Sequence, residues 1–217
     1  MSKIKAHDRY QYENAAAAEG YKTVAGLDEA GRGSLAGPIC VAICILPKNY
    51  RNDEINDSKL LSPSKREQLL PIIQKNAVYY DWELVDSKIV DQLNPKESTK
   101  QAMQQLIKRA KIKPDLCLID AEIINAAVPT KAIIKGDQKS ITIAAASIIA
   151  KVIRDQFMVA IDQQYPQYYF KEHKGYGTVK HLNALMQHGP INGFHRASYE
   201  PVKNIMLARK RKHHSKG

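Results

Sequence analysis

The segment 38–47, PICVAICILP, limits the possible folds of this chain more than any other feature, because it is apolar throughout. Its β-branched residues favour a strand, and a strand that is apolar on both faces must be covered on both sides. Such strands occur in sheets that carry helices on their two faces. Four further runs are predicted strands, at 21–28, 77–86, 114–120 and 132–137.

Helical patterns separate and follow these strands. Ser62 followed by Pro63 predicts a helix start, since proline is favoured at the first helical position, and Pro71 is expected to kink or shorten that helix. Helices are also predicted at 1–20, 87–112, 141–165, 178–188 and 201–211. The first three strands can form an antiparallel meander, and the later ones, which alternate with helices, suit parallel pairing.

The resulting prediction is an α/β protein with a mixed sheet flanked by helices and a basic helical C-terminal extension. We divide the chain into a short lead-in (1–20), one globular domain (21–205) and a basic tail (206–217). The sequence shows no signal peptide and no apolar run of 18 residues, so we expect a cytoplasmic protein without a membrane partner.

The charge of the chain is strongly positive and unevenly distributed. Of a net charge of +11, most lies in residues 151–217, which hold 12 Lys/Arg and 4 Asp/Glu. A basic domain usually binds a polyanion, either nucleic acid or, less often, an anionic membrane. The cysteines Cys40, Cys44 and Cys117 lie in apolar runs and are predicted to be buried thiols without metal or disulfide chemistry.

Four carboxylates stand at or just after the ends of predicted strands, namely Asp28, Glu29, Asp120 and Asp137. Ligands of open α/β sheets bind at the carboxyl ends of strands, so these acids are expected to converge. Two like charges about 4 Å apart repel by about 4 kcal/mol at an effective dielectric constant of 20. A cluster therefore needs a proton or a cation, and oxygen ligands suit Mg²⁺ or Mn²⁺.

Two points remain open for these acids. Adjacent residues of a strand point to opposite faces, so Asp28 and Glu29 share one cluster only if the strand bulges or ends there. The alternative is that the four acids cap helices and begin turns.

Two glycine-flanked loops are candidate substrate contacts. Gly31-Arg32-Gly33 allows close approach of the backbone and offers a guanidinium to a phosphate. Tyr176, between two glycines, can stack on a sugar or a base. The alternative is an ordinary turn with a partly buried tyrosine. Further candidate phosphate contacts, each of which could equally be a solvated surface charge, are Lys59, Lys151, Lys174 and Arg196.

The chain resembles the bacterial ribonuclease HII family in six separated blocks that keep a consistent order over about residues 12–205. The blocks are GLDEAGRGSLAGP (26–38), DSKLLSPSKRE (57–67), LID (118–120), KGDQKSITIAAASIIAKVIRD (135–155), HKGYGT (173–178) and HRASYEPVK (195–203). One departure is Ser34, where the family usually has proline, and we expect a looser backbone there.

The resemblance implies a ribonuclease H-like fold with a five-stranded sheet, and it makes the four acids the ligands of two Mn²⁺ or Mg²⁺ ions. It implies that Gly31, Arg32 and Gly33 sense the ribose 2′-hydroxyl, the group by which proteins tell RNA from DNA. It also implies that Tyr176 packs on the sugar of the nucleotide that follows the ribonucleotide. The implied substrates are RNA/DNA hybrids and duplex DNA with embedded ribonucleotides, cut by a monomer that leaves 3′-hydroxyl and 5′-phosphate ends.

Two other functions remain open at this stage. A type-HIII relative would cut hybrids without needing the same triplet and tyrosine. A non-enzymatic nucleic-acid-binding module would need the basic surface but not the acids, which repel phosphate unless cations intervene.

Overall fold

The structure is a computed structural model that describes residues 8–214. Within this range a five-stranded sheet is formed by β1 (Val24–Ala30), β2 (Ile39–Ile45), β3 (Tyr79–Val85), β4 (Leu116–Asp120) and β5 (Thr130–Ile133). The strand order is β3-β2-β1-β4-β5, and β4 runs parallel to both β1 and β5. This mixed sheet with flanking helices confirms the predicted fold class.

All seven residues of β2 are buried, as its uninterrupted apolar sequence predicts. The helices are α1 (Gln11–Ala18), α2 (Pro63–Asn76), α3 (Ser87–Arg109), α4 (Ile141–Gln164), α5 (Phe170–His173), α6 (Val179–His188) and α7 (Glu200–His214). No helix within residues 8–214 is long and apolar enough to span a membrane.

The predicted start of α2 is confirmed in atomic detail. The Ser62 hydroxyl oxygen accepts a hydrogen bond from the N–H of Lys65 (3.2 Å), and Pro63 occupies the first helical position. Pro71, which we expected to kink or shorten this helix, lies within it, and the helix continues to Asn76.

The predicted helix 87–112 is interrupted at Asn94, which has a left-handed backbone with a φ of 67°. Its side-chain oxygen accepts hydrogen bonds from the N–H groups of Lys96 and Glu97, both 3.0 Å long. Asn94 therefore caps a second helical segment that begins at Pro95. The prediction of one continuous helix was wrong, because the Asn-Pro pair ends one segment and starts another.

Residue contacts divide the chain into two compact units. The first contains the chain up to Ala30, Val41–Glu83 and Lys100–Val152, and the second contains Gly31–Cys40, Leu84–Thr99 and the chain from Ile153 onward. Leu116, Leu118, Ile133 and Ile143 form a buried apolar cluster in the first unit. Met158, Tyr168, Phe170, Leu185 and Val202 belong to the core of the second. The division into 1–20, 21–205 and 206–217 stays a prediction.

Candidate active site

Asp28 and Asp120 meet because their strands are parallel neighbours in register. Leu27 on β1 is paired with Ile119 on β4, so the next residue of each strand is one of these two aspartates. Both lie at the carboxyl end of the sheet, where α/β proteins bind ligands. The register of two apolar strands thus brings together two carboxylates that are 92 residues apart in the chain.

Asp137 reaches the same place by a different route from the one predicted. We expected it to end a strand at 132–137, but β5 ends at Ile133 and Asp137 lies in a short 3₁₀ turn, Gly136–Gln138. Lys135 has a left-handed backbone (φ 55°), and the N–H of Gly136 donates to Asp120 Oδ1 (2.7 Å). The carboxylate of Asp120 therefore anchors the turn that carries Asp137.

Carboxylate oxygens of Asp28, Asp120 and Asp137 all lie within 4.8 Å of one another. Asp28 and Asp137 are buried and Asp120 is half-buried. Burial, together with the charges of Glu29 and Asp120, raises the pKa of the Asp28 carboxyl well above its usual range. Burial also raises the pKa of Asp137, against the opposing effect of the Lys59 ammonium. Burial and neighbouring negative charge at Asp28 and Asp137 therefore favour a proton or a cation in this cluster.

Glu29, the fourth predicted acid, is outside this group of three. β1 continues through it to Ala30, and neighbouring strand residues point to opposite faces. Glu29 is nevertheless close enough for its charge to raise the pKa of Asp28. Its part in the cluster stays a prediction.

The predicted triplet lies at the start of the second unit. Gly31 has a φ of 94°, a conformation that favours glycine, and a Cβ there would fall 1.9 Å from Arg154 Nε. Arg32 is half-buried and Gly33 is exposed. Ser34 is fully buried, and its N–H donates to the Gly31 carbonyl (3.3 Å), a bond that a proline could not make.

Tyr176 is half-buried in a loop that is bonded to the segment after the triplet. The N–H of Leu35 donates to the Gly175 carbonyl (2.8 Å), and a Cβ on Gly175 would fall 2.5 Å from the Ala36 carbonyl oxygen. The imidazole of His181 donates from Nδ1 to the carbonyl oxygen of Tyr176 (3.0 Å). The triplet segment and the tyrosine loop thus form one connected structure within the second unit.

Comparison with known proteins places this arrangement in one family. The family model for ribonuclease HII matches residues 25–202. Ribonuclease HII of Acholeplasma laidlawii is 45% identical over 199 residues, covering 92% of this chain and 98% of that protein. The chain belongs to the ribonuclease HII family.

Solved structures agree with this ribonuclease HII assignment at the level of the fold. Ribonuclease H2 from Pyrococcus horikoshii superposes with a TM-score of 0.75 at 25% identity, covering 87% of this chain and 99% of that one. A structure of Bst ribonuclease HIII in complex with Mn²⁺ has a TM-score of 0.65 at 17% identity and covers 91% of this chain and 73% of that one. The latter likeness concerns the fold alone.

The four predicted phosphate contacts of this chain lie in different environments. Lys59 Nζ is 3.3 Å from Asp137 Oδ2, and its side chain is 76% exposed. Lys151 lies on α4 four residues after Ser147, on the same helical face. Lys174 is half-buried, and its Nζ donates to the Lys171 carbonyl.

Arg196 does not lie at the surface, where a phosphate contact was predicted. The residue is fully buried, with 0% exposure. Its guanidinium donates to the carbonyl oxygens of Arg32 (2.9 Å) and Gly37 (2.8 Å) and to the Tyr199 hydroxyl (2.9 Å). We expected a phosphate contact or a solvated surface charge, but the side chain is buried and backbone carbonyls from a distant segment occupy its donors.

Reasoning from the strand ends alone missed three residues that support the acid cluster. Ser58 Oγ is 2.8 Å from Ser147 Oγ, and the Ser147 hydroxyl bonds to Asp28. Asp57 is buried and accepts from the N–H of Lys59 (2.8 Å) and from Gln138 Nε2 (3.0 Å). The available signals were two of the blocks shared with the ribonuclease HII family, DSKLLSPSKRE (57–67) for Asp57 and Ser58 and KGDQKSITIAAASIIAKVIRD (135–155) for Ser147.

Proposed function

We propose that this ribonuclease cuts the RNA strand of RNA/DNA hybrids and the phosphodiester bond on the 5′ side of a ribonucleotide embedded in duplex DNA. The products carry 3′-hydroxyl and 5′-phosphate ends. One observation carries the proposal: three aspartate carboxylates converge within 4.8 Å at the carboxyl end of the sheet in a member of the ribonuclease HII family. The enzyme is expected to act as a monomer in the cytoplasm.

The acid cluster fits divalent cations. Its donors are all carboxylate oxygens, the donor type that Mg²⁺ and Mn²⁺ prefer, and its mutual repulsion is relieved by positive charge. Asp28, Asp120 and Asp137 would hold the metal, with Glu29 as the fourth proposed ligand. Two such ions, when bound, activate a water molecule and stabilise the leaving oxygen of a phosphodiester.

The protein's own groups prepare this site for a negatively charged substrate. The N–H of Glu29 (2.7 Å) and the Ser147 hydroxyl both donate to the Asp28 carboxylate, and hydrogen bonds to the charged form favour it. Lys59 contacts the cluster and remains largely exposed, so its ammonium can meet a phosphate at the entrance to the site. The net charge of +11 attracts a polyanion over longer distances.

Selectivity for a ribonucleotide is assigned to the second unit. Gly31, Arg32 and Gly33 would contact the 2′-hydroxyl, and Tyr176 would pack on the sugar of the next nucleotide. Contacts to the 2′-hydroxyl are the means by which a protein distinguishes RNA from DNA. The presence of both features favours the type-HII activity over a type-HIII activity.

A cleavage assay on three labelled duplexes of one sequence tests the proposal. We expect the RNA/DNA hybrid and the duplex with one embedded ribonucleotide to be cut with Mn²⁺ or Mg²⁺, and neither to be cut with chelator. The all-DNA duplex is the matched control and stays intact. End analysis of the embedded-ribonucleotide product should find the 3′-hydroxyl on the nucleotide immediately before the ribonucleotide.

Two other results would overturn the proposal in different ways. Cleavage of the hybrid without cleavage at the single ribonucleotide would indicate the type-HIII activity. Binding of all three duplexes without hydrolysis in any metal would indicate a binding module.

A further inference from the structure

Two fully buried arginines of the second unit, Arg154 and Arg196, lie behind the residues that are proposed to recognise the ribonucleotide. Both have 0% exposure, so neither side chain can serve as an ordinary surface contact for nucleic acid. Each donates hydrogen bonds to backbone carbonyls of the segment that contains or follows the triplet.

Arg196 holds the triplet by its middle residue. Its Nη1 donates to the carbonyl oxygen of Arg32, and its Nε and Nη2 donate to the carbonyl oxygen of Gly37 at 3.1 and 2.8 Å. The Tyr199 hydroxyl also donates to the Arg32 carbonyl. Because a guanidinium is planar and rigid, these bonds fix the spacing between Arg32 and Gly37.

Arg154 touches both recognition elements at once. Its Nε donates to the Pro38 carbonyl (2.9 Å) and its Nη2 to the Ala36 carbonyl (3.2 Å). Its Cζ lies 5.3 Å from the centre of the Tyr176 ring, within the range of a cation–π contact. Gly31 packs so closely against the same guanidinium that an added Cβ would collide with it.

These guanidinium groups are buried at a cost to stability. Burial lowers the pKa of both, which shows that the charged form is held in an unfavourable environment. The Nη1 of Arg154 is buried and has no hydrogen-bond partner among the described residues. Apolar side chains of similar volume often stabilise a core as well as or better than buried charges, so folding alone does not explain the pair.

We propose that Arg154 and Arg196 are positioning residues that hold the triplet and Tyr176 in the arrangement that selects an embedded ribonucleotide. Arg196 fixes the backbone of the triplet, and Arg154 joins Gly31 to the back of the Tyr176 ring. This inference rests on the proposed function, because it needs Tyr176 and the triplet to contact the substrate.

The test measures a selectivity ratio, defined as the initial rate on the duplex with one embedded ribonucleotide divided by the rate on the RNA/DNA hybrid. We expect Arg154→Met to lower this ratio about tenfold, since small misplacements of a positioning group are costly. Arg154→Lys keeps the charge and should lie between the wild type and Arg154→Met. Mn²⁺ affinity, measured by calorimetry, should stay unchanged in both variants.

A double-mutant cycle separates positioning from general stability. In the Tyr176→Ala background, Arg154→Met should lower the ratio no further, because its effect acts through Tyr176. Arg109→Met is the control: it breaks two ion pairs, with Asp81 and Glu83, and should lower stability while leaving the ratio unchanged. If Arg154 served only the stability of the fold, Arg154→Met would reduce both rates together and leave the selectivity ratio at its wild-type value.

One further variant extends the test to Arg196, and Arg154→Lys covers the case in which Arg154→Met misfolds. Arg196→Met should slow cleavage of both ribose-containing duplexes about tenfold with unchanged Mn²⁺ affinity, since the triplet serves both. If Arg154→Met does not fold, Arg154→Lys carries the test, because lysine keeps the charge but lacks the planar guanidinium that donates to both the Pro38 and Ala36 carbonyls. Its selectivity ratio should fall below the wild-type value.

The outcomes distinguish this inference from the proposed function. If the wild type cuts at single ribonucleotides and Tyr176→Ala loses selectivity, folded arginine variants with wild-type rates and ratio would overturn the inference alone. If the wild type shows no such cleavage, or Tyr176→Ala keeps the wild-type ratio, the proposed recognition fails and this inference fails with it.

Discussion

Replacing Asp28 or Asp120 with asparagine should lower the rate of cleavage by on the order of a thousandfold while leaving duplex binding largely intact. Each asparagine keeps an oxygen that can accept the local hydrogen bonds, from Glu29 N–H or from Gly136 N–H, but removes the negative charge. Charge stabilisation by bound metal contributes several kcal/mol to the transition state, and about 4 kcal/mol corresponds to a thousandfold. Single-turnover cleavage of the embedded-ribonucleotide duplex measures this effect.

The Asp28→Asn substitution should also stabilise the metal-free protein. Burial and the charges of Glu29 and Asp120 raise the pKa of Asp28 in the folded state. Above the unfolded pKa of about 3.9, the folded state therefore binds this proton more tightly than the unfolded state does. Stability therefore falls as the pH rises from the unfolded pKa to the raised pKa of the folded state, and above that raised pKa the full cost of the charge is present. In chelator, Asp28→Asn should melt higher by about 2–4 °C for each kcal/mol relieved.

The matched control is Asp162→Asn, which changes a buried aspartate outside the cluster that accepts from the N–H of Lys171 (3.1 Å). We expect this variant to retain cleavage and to gain no stability in chelator. Wild-type rates in both Asp28→Asn and Asp120→Asn would remove the acid cluster from the mechanism. A loss of activity accompanied by unfolding in chelator would indicate a structural role for these acids instead.

Gly26→Ala should destabilise the protein by on the order of 3 kcal/mol or more, which corresponds to a melting temperature lower by roughly 6–12 °C. A Cβ on Gly26 would fall 2.1 Å from the carbonyl carbon of Thr142 and 2.3 Å from the N of Ile143. Both are backbone atoms at the start of α4, so no side-chain rotation relieves the clash. The glycine allows α4 to approach β1, and Ser147 on α4 then reaches Asp28.

Gly33→Ala is the matched control for this effect, since a Cβ there meets no atom within 4 Å and the residue is exposed. Its free energy of unfolding should stay within about 0.5 kcal/mol of the wild type. Thermal melts of both variants in chelator measure the difference. Equal melting temperatures for Gly26→Ala and the wild type would contradict the close packing of β1 against α4.

The acids of β1 and β4 could be predicted from sequence because apolar runs end at them. The parallel register of Leu27 with Ile119 then places both acids at the same end of the sheet. The burial of β2 was predictable for a similar reason, since its sequence leaves no polar face. Local patterns of this kind depend only on neighbouring residues, and periodicity reports them well.

Features that depend on contacts between distant residues could not be predicted in the same way. The turn that carries Asp137 is anchored by a bond from Gly136 to Asp120, 16 residues earlier in the chain. Arg196 is buried because carbonyl groups of Arg32 and Gly37, about 160 residues away, accept its hydrogen bonds. Neither contact leaves a trace in hydrophobic periodicity, whereas the Asn-Pro pair within α3 was a local signal that we overlooked.

The most direct test of this account is the position of Mn²⁺ in crystals of the protein soaked with that ion, located by anomalous scattering. We expect a peak coordinated by carboxylate oxygens of Asp28, Asp120 and Asp137, and we expect it to be lost in crystals of Asp28→Asn grown under the same conditions. Anomalous peaks only at other places, with these three carboxylates free of metal at saturating Mn²⁺, would contradict it.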